Sequence, residues 1–376
     1  MTDEQEIASS SIVAENVKHW ITPIEEVEYE KSMSVVRHST LKKYLFILGA
    51  AVVCVIVAGL SLGNGTYPIS FQDAYMTLWY HIIGDIQDPI DDIVVVRDRL
   101  PSILVGILAG SGLAIAGAAM QSILKNPLAE PYTTGVSSGA IFGASVSIVF
   151  GFNLFGGDYA LIGNAFIFSL IPVFFILMIS RLKNASPTTM IMGGIAIMYI
   201  FNAMTTVIRL WSDPDSLQEL YRWEVGTLAY SSWDNLILMF PATVFGIVVI
   251  WLLSKQLNVL ATGDENARTL GVDADRLRII VLVVVAFMTA AIVSYVGLIG
   301  FVGLVAPHVV RMVIGADNRF LIPASISFGA AILLLADLVG KTIIAPATIQ
   351  VGVVMAFLGG PMFIWLIIRK NTKVWG

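Results

Sequence analysis

The residues that could carry out chemistry in this sequence are few and far apart. Its four histidines are His19, His38, His81 and His308, and none stands at metal-ligand spacing from a second candidate ligand. Cys54 is the single cysteine, which excludes a cysteine metal cluster and an intrachain disulfide. The glycine-rich sequence that cradles nucleotide phosphates is missing as well. We therefore expect no catalytic centre, no bound metal and no cofactor.

Two pairs of polar residues interrupt apolar parts of the sequence. Asp337 lies inside an apolar run, and an intramembrane carboxylate is a functional candidate by default. Lys341 follows it by one helical turn, so a local ion pair is the alternative interpretation. His308 and Arg311 are also one turn apart, where helix-end packing or hydrogen bonding is favoured over ligand binding. A proton relay would need further buried acids, and none is evident.

Composition places the chain in a membrane. Of its 376 residues, 57% are hydrophobic and 13% charged, against about 45–50% and about 25% in soluble domains. A helix needs about 20 apolar residues to cross the bilayer core, and such runs recur along the chain. We predict an all-α polytopic membrane protein whose ten transmembrane helices are Tyr44–Leu62, Leu100–Leu124, Thr133–Phe152, Ala160–Ile179, Met190–Leu210, Leu236–Leu253, Ile279–Val296, Val302–Ile314, Leu321–Val339 and Ile349–Ile368. A polar, irregular connection is predicted between the first two spans. The eighth span is too short to cross the membrane alone.

Charge asymmetry orients the ten spans. With both termini on the cytoplasmic side, 17 of the 22 lysines and arginines fall inside and 5 outside, in agreement with the positive-inside rule. Residues 1–43 are then a cytoplasmic N-terminal extension, residues 44–370 the membrane domain and residues 371–376 a cytoplasmic tail. The extension lacks the basic-then-apolar pattern of a signal peptide. An amphipathic helix near Ile12–Trp20 is one interpretation of it, and disorder is the other.

The stretch Ala261–Arg278 separates the sixth and seventh apolar runs and is rich in charge. Charges of this density cannot lie in hydrocarbon, so we expect an aqueous loop, and we call residues 262–278 the polar loop. Asp264 is predicted to cap a first short helix, Gly271 to end it, and Asp273 to cap a second one. Two short helices joined at a glycine would make a compact knob on the membrane surface. A solvated loop without a partner is the alternative.

Two further motifs link spans through backbone that cannot be regular helix. After Gln121, two prolines interrupt the connection between the second and third spans, and small residues follow that permit close helix packing. The second motif runs from Gly297 to His308, and its glycines fit a tight re-entry into the short eighth span. The residues singled out as structural are Asn126, Pro127, Pro131, Gly135, Gly139, Gly303, Pro307, His308, Arg311 and, in the ninth span, Asp337.

Basic residues are sparse on the predicted outer face. Arg97 and Arg99 precede the second span, and Lys341 ends the ninth. One interpretation is a docking site for an acidic partner surface, because complementary charge steers and registers association. The alternative is that these side chains reach out to lipid headgroups.

Taken together, the motifs resemble those of the FecCD-type permeases, the membrane subunits of ABC importers for iron–siderophore complexes, haem and vitamin B12. The resemblance covers about residues 44–370 and rests, in this order, on RLPS at Arg99–Ser102, QSILKNPLAEP, GVSSGA, ARTLGV, GLIGFVGLVAPHVVRMVIGAD, ADLVGK and GGPMFIWLIIRK. It implies a type II ABC importer permease fold that pairs as a dimer in the cell membrane. It also implies two ATPase subunits and an extracytoplasmic substrate-binding protein as partners, and no nucleic acid.

The resemblance assigns roles to individual residues. It implies that the polar loop enters the ATPase cleft as coupling helices, formed by Gly263, Asp264, Glu265, Ala267, Arg268, Leu270, Gly271 and Val272. It implies that outer arginines pair with glutamates of the binding protein, and Arg99 matches one of them. Ser102 lacks the charge of a second, for which Arg97 would compensate. Lys341 stands in place of a third arginine and keeps the charge, but a lysine lacks the bidentate fork of a guanidinium. Where the family has Glu-x-Pro-x-Gly, this sequence has Thr-Ile-Gln-Val-Gly at Thr348–Gly352.

We therefore predict the transmembrane permease subunit of an ATP-driven importer for an iron–siderophore complex, haem or cobalamin. Hydrolysis is assigned to the partner ATPases, and specificity is left to the binding protein. An ion-coupled secondary transporter is the alternative, and it would need several buried acids and broken helices at mid-depth. An intramembrane enzyme would need clustered catalytic side chains within the spans, which the sequence does not offer.

Overall fold

Helices are the only regular elements in the part of the chain that the computed structural model describes, residues 26–183 and 185–368. In chain order they are α1 (Glu26–Gly63), α2 (Phe71–Ile83), α3 (Pro89–Asp92), α4 (Leu100–Leu124), α5 (Val136–Phe150), α6 (Ala160–Lys183), α7 (Pro187–Leu210), α8 (Pro214–Glu224), α9 (Trp233–Leu252), α10 (Ser254–Ala261), α11 (Asp264–Thr269), α12 (Ala274–Val296), α13 (Val302–Ile314), α14 (Asn318–Thr342) and α15 (Val351–Ile368). A π-helical segment, Ile93–Arg99, joins α3 to α4, and 3₁₀ turns occupy Pro131–Thr134 and Gly157–Tyr159. The chain divides into two units after Leu45.

The ten-span, all-α fold predicted from the sequence is confirmed. Seven stretches of the described chain are long and apolar enough to cross a membrane, namely the part of α1 from Ser39, the continuous stretch Pro89–Leu124, and α6, α7, α9, α12 and α14. Three shorter apolar helices, α5, α13 and α15, complete the ten. The predicted amphipathic helix near residues 12–20 and the tail at residues 371–376 lie outside the described residues, and the domain boundary at residue 43 stays a prediction.

The prediction that the segment between the first two spans is an irregular connection is wrong, because most of that segment is helical. α2 begins after Ser70, whose side chain accepts a hydrogen bond from the Asp73 backbone N–H at 3.1 Å. It ends at Gly84, where φ is +79°. The exposed apolar residues of α2 recur at helical spacing on one face: Phe71, Tyr75, Trp79 and Ile82. This pattern favours a surface helix over an irregular loop.

Helix α4 lies at the centre of the fold, with 21 of its 25 residues buried. Helices α9, α12, α13 and α14 pack around it. A Cβ added at Gly117 would stand 1.6 Å from the carbonyl oxygen of Gly303, and one at Gly110 would stand 2.5 Å from that of Gly329. Glycine therefore lets α13 and α14 touch the α4 backbone, the close approach that small residues permit between membrane helices.

Helices α5 and α13 are too short to cross a bilayer core of about 30 Å. At 1.5 Å per residue, their 15 and 13 residues span only about 22 and about 20 Å. Each follows irregular backbone, residues 125–135 before α5 and residues 297–301 before α13. Such backbone is tolerated at membrane depth where it is buried in protein. Gly135, with φ +81°, and Phe301, with φ +68°, immediately precede the two helices.

The two termini of α4 mark two opposite ends of the bundle. Lys125 follows its last residue and contacts Asp264 at 2.8 Å, so the polar loop lies at this end. Lys341, near the end of α14, donates to Ser102 in the first turn of α4 at 3.4 Å. We call these the Lys125 end and the Ser102 end.

Candidate functional site

The polar loop folds as a short helix followed by a tight turn into a membrane helix. The predicted stop at Gly271 is present: its φ is +80°, its N–H donates to Arg268, and the Val272 N–H donates to Ala267. These two bonds form a Schellman motif, which satisfies carbonyls at a helix C-terminus. Asp273 also acts as predicted, since its side chain accepts from the next turn's backbone N–H groups at 3.1 Å.

Two details of the predicted knob are wrong. The second short helix is the first turn of α12 itself, because no break separates Ala274 from the rest of that helix. Asp264 is not a cap but the first residue of α11, after Gly263 with φ +118°. Its carboxylate is instead directed at other elements, where two cations bind it: Lys125 at 2.8 Å and Arg278 at 2.7 Å.

Arg278 anchors the polar loop and is the functional candidate that sequence reasoning missed. It is fully buried, with 0% of its surface exposed. Its Nη2 donates to both carboxylate oxygens of Asp264, at 2.7 and 2.9 Å. These hydrogen bonds lower the pKa of the Asp264 carboxyl to about 2, against the opposing effect of desolvation. The signal in the sequence was an arginine immediately before an apolar run, Ile279–Val296.

The outward surface of the polar loop combines charge with one exposed apolar side chain. Leu270 is 66% exposed. Glu265 and Arg268 are exposed beside it, whereas Ala267 is buried against the bundle and Val272 is half-buried. The loop therefore presents a leucine to its surroundings on a rigidly held base.

The first proline-rich motif leads from the Lys125 end back into the bundle. The Asn126 side chain accepts from the Leu128 N–H at 3.0 Å, and Pro131 opens the following 3₁₀ turn. A Cβ at Gly139 would stand 2.4 Å from the Phe168 carbonyl oxygen, and one at Gly135 would stand 3.1 Å from Cβ of Pro172. The predicted close packing is thus made against α6.

The two irregular segments before α5 and α13 are bonded to each other. The Tyr132 hydroxyl donates to the Ile299 carbonyl at 3.1 Å and accepts from the Ile299 N–H at 3.3 Å. The Glu130 carboxylate accepts from the Phe301 N–H. Gly303, at the start of α13, packs close to both Gly117 and Pro131. No local sequence pattern pairs residues so far apart in the chain.

Within α13, which contains Pro307, the polar side chains serve packing between helices. Arg311 is 4% exposed, and its Nη1 donates to Oε1 of Gln121 at 2.9 Å. Gln121 in turn donates to the Leu304 carbonyl at 3.4 Å. His308 is half-buried one turn away. The structure therefore favours the hydrogen-bonding interpretation of this pair of residues.

At the Ser102 end, Asp337 forms the local ion pair that was one of its two interpretations. Its carboxylate lies 2.6 Å from Nζ of Lys341, and its side chain is 8% exposed. Lys341 thus bridges Asp337 to Ser102. With its charge matched by a lysine one turn away, Asp337 is not a free proton carrier.

The two arginines at the Ser102 end differ in exposure. Arg97 is exposed. Arg99 is only 5% exposed, and its guanidinium donates to the carbonyls of Leu62 at 2.7 Å and Tyr67 at 2.5 Å. Arg99 therefore ties the turn after α1 to the start of α4, and of the two arginines Arg97 is the one that is open to a partner.

Ten apolar helices, two of them short and entered through irregular backbone, and a polar loop held on a buried arginine define a polytopic membrane protein with one structured polar loop. A model of the FecCD transport family matches residues 51–369. The hemin transport system permease protein HmuU of Yersinia pestis is 35% identical, over 87% of this chain and 96% of its own. The cobalamin import system permease protein BtuC of Halobacterium salinarum is 37% identical, over 75% of each chain.

Solved structures agree. One described as an inward-facing conformation of a metal-chelate type ABC transporter matches with a TM-score of 0.76 at 30% identity, covering 86% of this chain and 98% of that chain. The present chain belongs to the FecCD transport family and is a permease of the ABC importer class.

Proposed function

We propose that this permease carries a bulky metal chelate or corrinoid (an iron–siderophore complex, haem or cobalamin) into the cell. It works as one half of a homodimer whose pathway follows the dimer axis. Two ATPase subunits dock on the polar loops at the Lys125 end, and a substrate-binding protein delivers cargo at the Ser102 end. The chain itself hydrolyses no nucleotide.

The observation that carries the proposal is the polar loop. Leu270 is 66% exposed among charged neighbours, on a loop whose base is fixed by a buried arginine. An apolar side chain rimmed by polar residues is the usual form of a protein contact site. A loop that only needed to be solvated would require neither the exposed leucine nor the buried anchor.

The orientation follows from charge. The Lys125 end carries the polar loop, Lys125 and Arg319, whereas the basic residues of the Ser102 end are few. The positive-inside rule supports a cytoplasmic position for the Lys125 end and for both termini. This is the side on which ATP is available to the partner subunits.

The cargo class is supported by the relatives, whose names specify haemin and cobalamin. Both are large macrocyclic metal complexes, so a permease for either needs a wide pathway. A homodimer is supported by the prevalence of two-fold symmetry among homo-oligomers. An ion-coupled mechanism gains no support from Asp337, which is paired with Lys341.

The test is the variant Leu270→Ser in the permease co-expressed with its ATPase. Because Leu270 is exposed, the substitution removes no core packing, and we expect normal membrane insertion. We expect at least about a tenfold loss of ATPase co-purification, as for an interface anchor worth about 2 kcal/mol, and a parallel loss of ATP-dependent uptake in proteoliposomes. Haemin, cobalamin and a ferric siderophore are offered in separate assays with the binding protein.

Ile86→Ser is the matched control. Ile86 is 50% exposed in the segment after α2, at the other end of the bundle, and its replacement should leave ATPase binding unchanged. Full ATPase binding and uptake by Leu270→Ser would contradict the assignment of the polar loop. Uptake that followed a proton gradient without ATP would overturn the proposed mechanism.

A further inference from the structure

We propose that Arg278 is the positioning residue that transmits movement of the polar loop to the membrane helices. The inference rests on the proposed function, because it needs ATPases that act on the loop. It assigns this role to a side chain that itself reaches neither the ATPase nor the cargo.

The contacts of Arg278 join four separate parts of the chain. Its Nε donates to the Ile123 carbonyl in the last turn of α4 at 3.2 Å. Its Nη1 approaches the Ala185 carbonyl, between α6 and α7, at 3.5 Å. Its Nη2 binds Asp264 at the start of α11, and the residue itself belongs to α12. One planar group therefore ties the loop to the ends of α4 and α12 and to the entry of α7.

These acceptors suit an arginine and no other cation. The last carbonyls of a helix have no partner within that helix, so the Ile123 carbonyl is open to an external donor. The guanidinium carries five N–H donors in a fixed plane, whereas a lysine ammonium is a compact point charge. A lysine at position 278 keeps the charge but cannot donate at once to the carbonyls of Ile123 and Ala185 and to the Asp264 carboxylate.

Three other routes connect α11 to the bundle. The backbone leads through the turn at Gly271 to α12 and, on the other side, through Gly263 to α10, which packs on α4 and α14. The Lys125–Asp264 pair reaches α4, but its side chains are 32% and 40% exposed, and such pairs contribute about 1 kcal/mol or less in water. The Arg278 side chain is 1% exposed and that of Asp264 40%, so the guanidinium end of this pair is shielded from water. Among the side chains that bind α11, Arg278 is the one that joins it to both α4 and the entry of α7.

The experiment measures coupling rather than activity alone. The permease–ATPase complex carrying Arg278→Lys is reconstituted with the binding protein, and ATP hydrolysed per cargo molecule is determined. We expect the ATPases to bind and hydrolyse as in the wild type, with cargo transported per ATP reduced about tenfold or more, the effect of losing a charge-assisted hydrogen bond. Arg181→Gln is the matched control, since Arg181 is an exposed arginine in the last turn of α6 and lies outside the polar loop, and it should couple normally.

Two outcomes overturn the inference: normal cargo transported per ATP in Arg278→Lys, or an equal defect in Arg181→Gln. A failed Leu270→Ser test would instead remove the ATPase contact itself, so the two failures are distinguishable. Should Arg278→Lys not assemble, spin labels at the exposed residues Thr262 and Leu128 in otherwise wild-type complex decide the point. Their separation should stay constant between the nucleotide-free and ATP-bound states, and a change in separation would contradict a rigid link.

Discussion

The Tyr132 hydroxyl is bonded to both polar atoms of the Ile299 backbone, donating to the carbonyl at 3.1 Å and accepting from the N–H at 3.3 Å. One side chain thereby satisfies a peptide group in the irregular segment that leads into α13. The same bonds join that segment to the one that leads into α5. Neither short helix can cross the membrane alone. This pairing therefore holds together the irregular backbone that precedes both of them.

Tyr132→Phe removes both bonds without changing the ring. A buried polar group left without a partner costs about 1–3 kcal/mol, so the variant should unfold at a lower temperature in detergent, with reduced uptake. Tyr230→Phe is the control, because Tyr230 is 75% exposed and its hydroxyl is open to water. Equal melting temperatures for Tyr132→Phe and the wild type would show that the pairing does not stabilise the fold.

Gly117→Ala should separate α4 from α13. The added Cβ would stand 1.6 Å from the Gly303 carbonyl oxygen, and a backbone atom cannot move aside as a flexible side chain can. Overpacking of this kind costs about 1–3 kcal/mol or more, measurable as a lower thermal midpoint. Gly49→Ala, in α1 with nothing within 4 Å of the new Cβ, should be neutral or slightly stabilising through helix propensity. A stable Gly117→Ala protein would mean that the two helices are not in backbone contact.

We expect experiments to assign a docking role to Arg97 and a structural role to Arg99. Arg97→Glu should weaken capture of the binding protein, most strongly at low salt, where surface charge is least screened. Arg99→Gln should instead lower the thermal midpoint, because the buried guanidinium holds the carbonyls of Leu62 and Tyr67. Titration of binding-protein affinity against salt distinguishes the two, and an unchanged affinity in Arg97→Glu would remove it from the docking site.

Asp264 should contribute the same stability throughout the physiological pH range. Its pKa is lowered to about 2 by the bonds from Arg278, whereas an unfolded aspartate titrates near about 3.9. A carboxyl group whose pKa is lowered by folding contributes its full stabilisation above the pKa of the unfolded state. That stabilisation is lost as the pH falls through the pKa of the folded state. The difference in thermal midpoint between the wild type and Asp264→Asn should thus be constant from pH 8 to 5 and shrink below pH 4. A difference that changed between pH 8 and 5 would show that another group titrates there.

Much of the fold was predictable because the bilayer imposes a simple rule on sequence. Long apolar runs located eight of the ten spans to within about five residues at each end, and the short α13 was found with both ends correct. The first span was predicted to begin at Tyr44, whereas α1 begins at Glu26. Helix α2 was missed because its 13 residues, although mostly apolar, are too few to cross a membrane. The signal that could have found it was the helical spacing of those apolar residues.

The candidate site was less readable. Gly271 and Asp273 were predicted from local chemistry, since a left-handed turn and a helix cap depend on adjacent residues. Asp264 was assigned the wrong role because the same carboxylate can cap its own helix or bind a distant cation. Arg278 and Tyr132 act on partners far away in sequence, and no local pattern could have named those partners.

The buried guanidinium of Arg278 also has a consequence for how the chain is assembled. A buried arginine is costly until it is paired. All of its partners, the carbonyls of Ile123 and Ala185 and the carboxylates of Asp264 and Asp275, precede it in the chain. When α12 emerges from the ribosome, the groups that neutralise its arginine have already been synthesised. The acceptors of Arg278 are therefore already present when the seventh span enters the membrane.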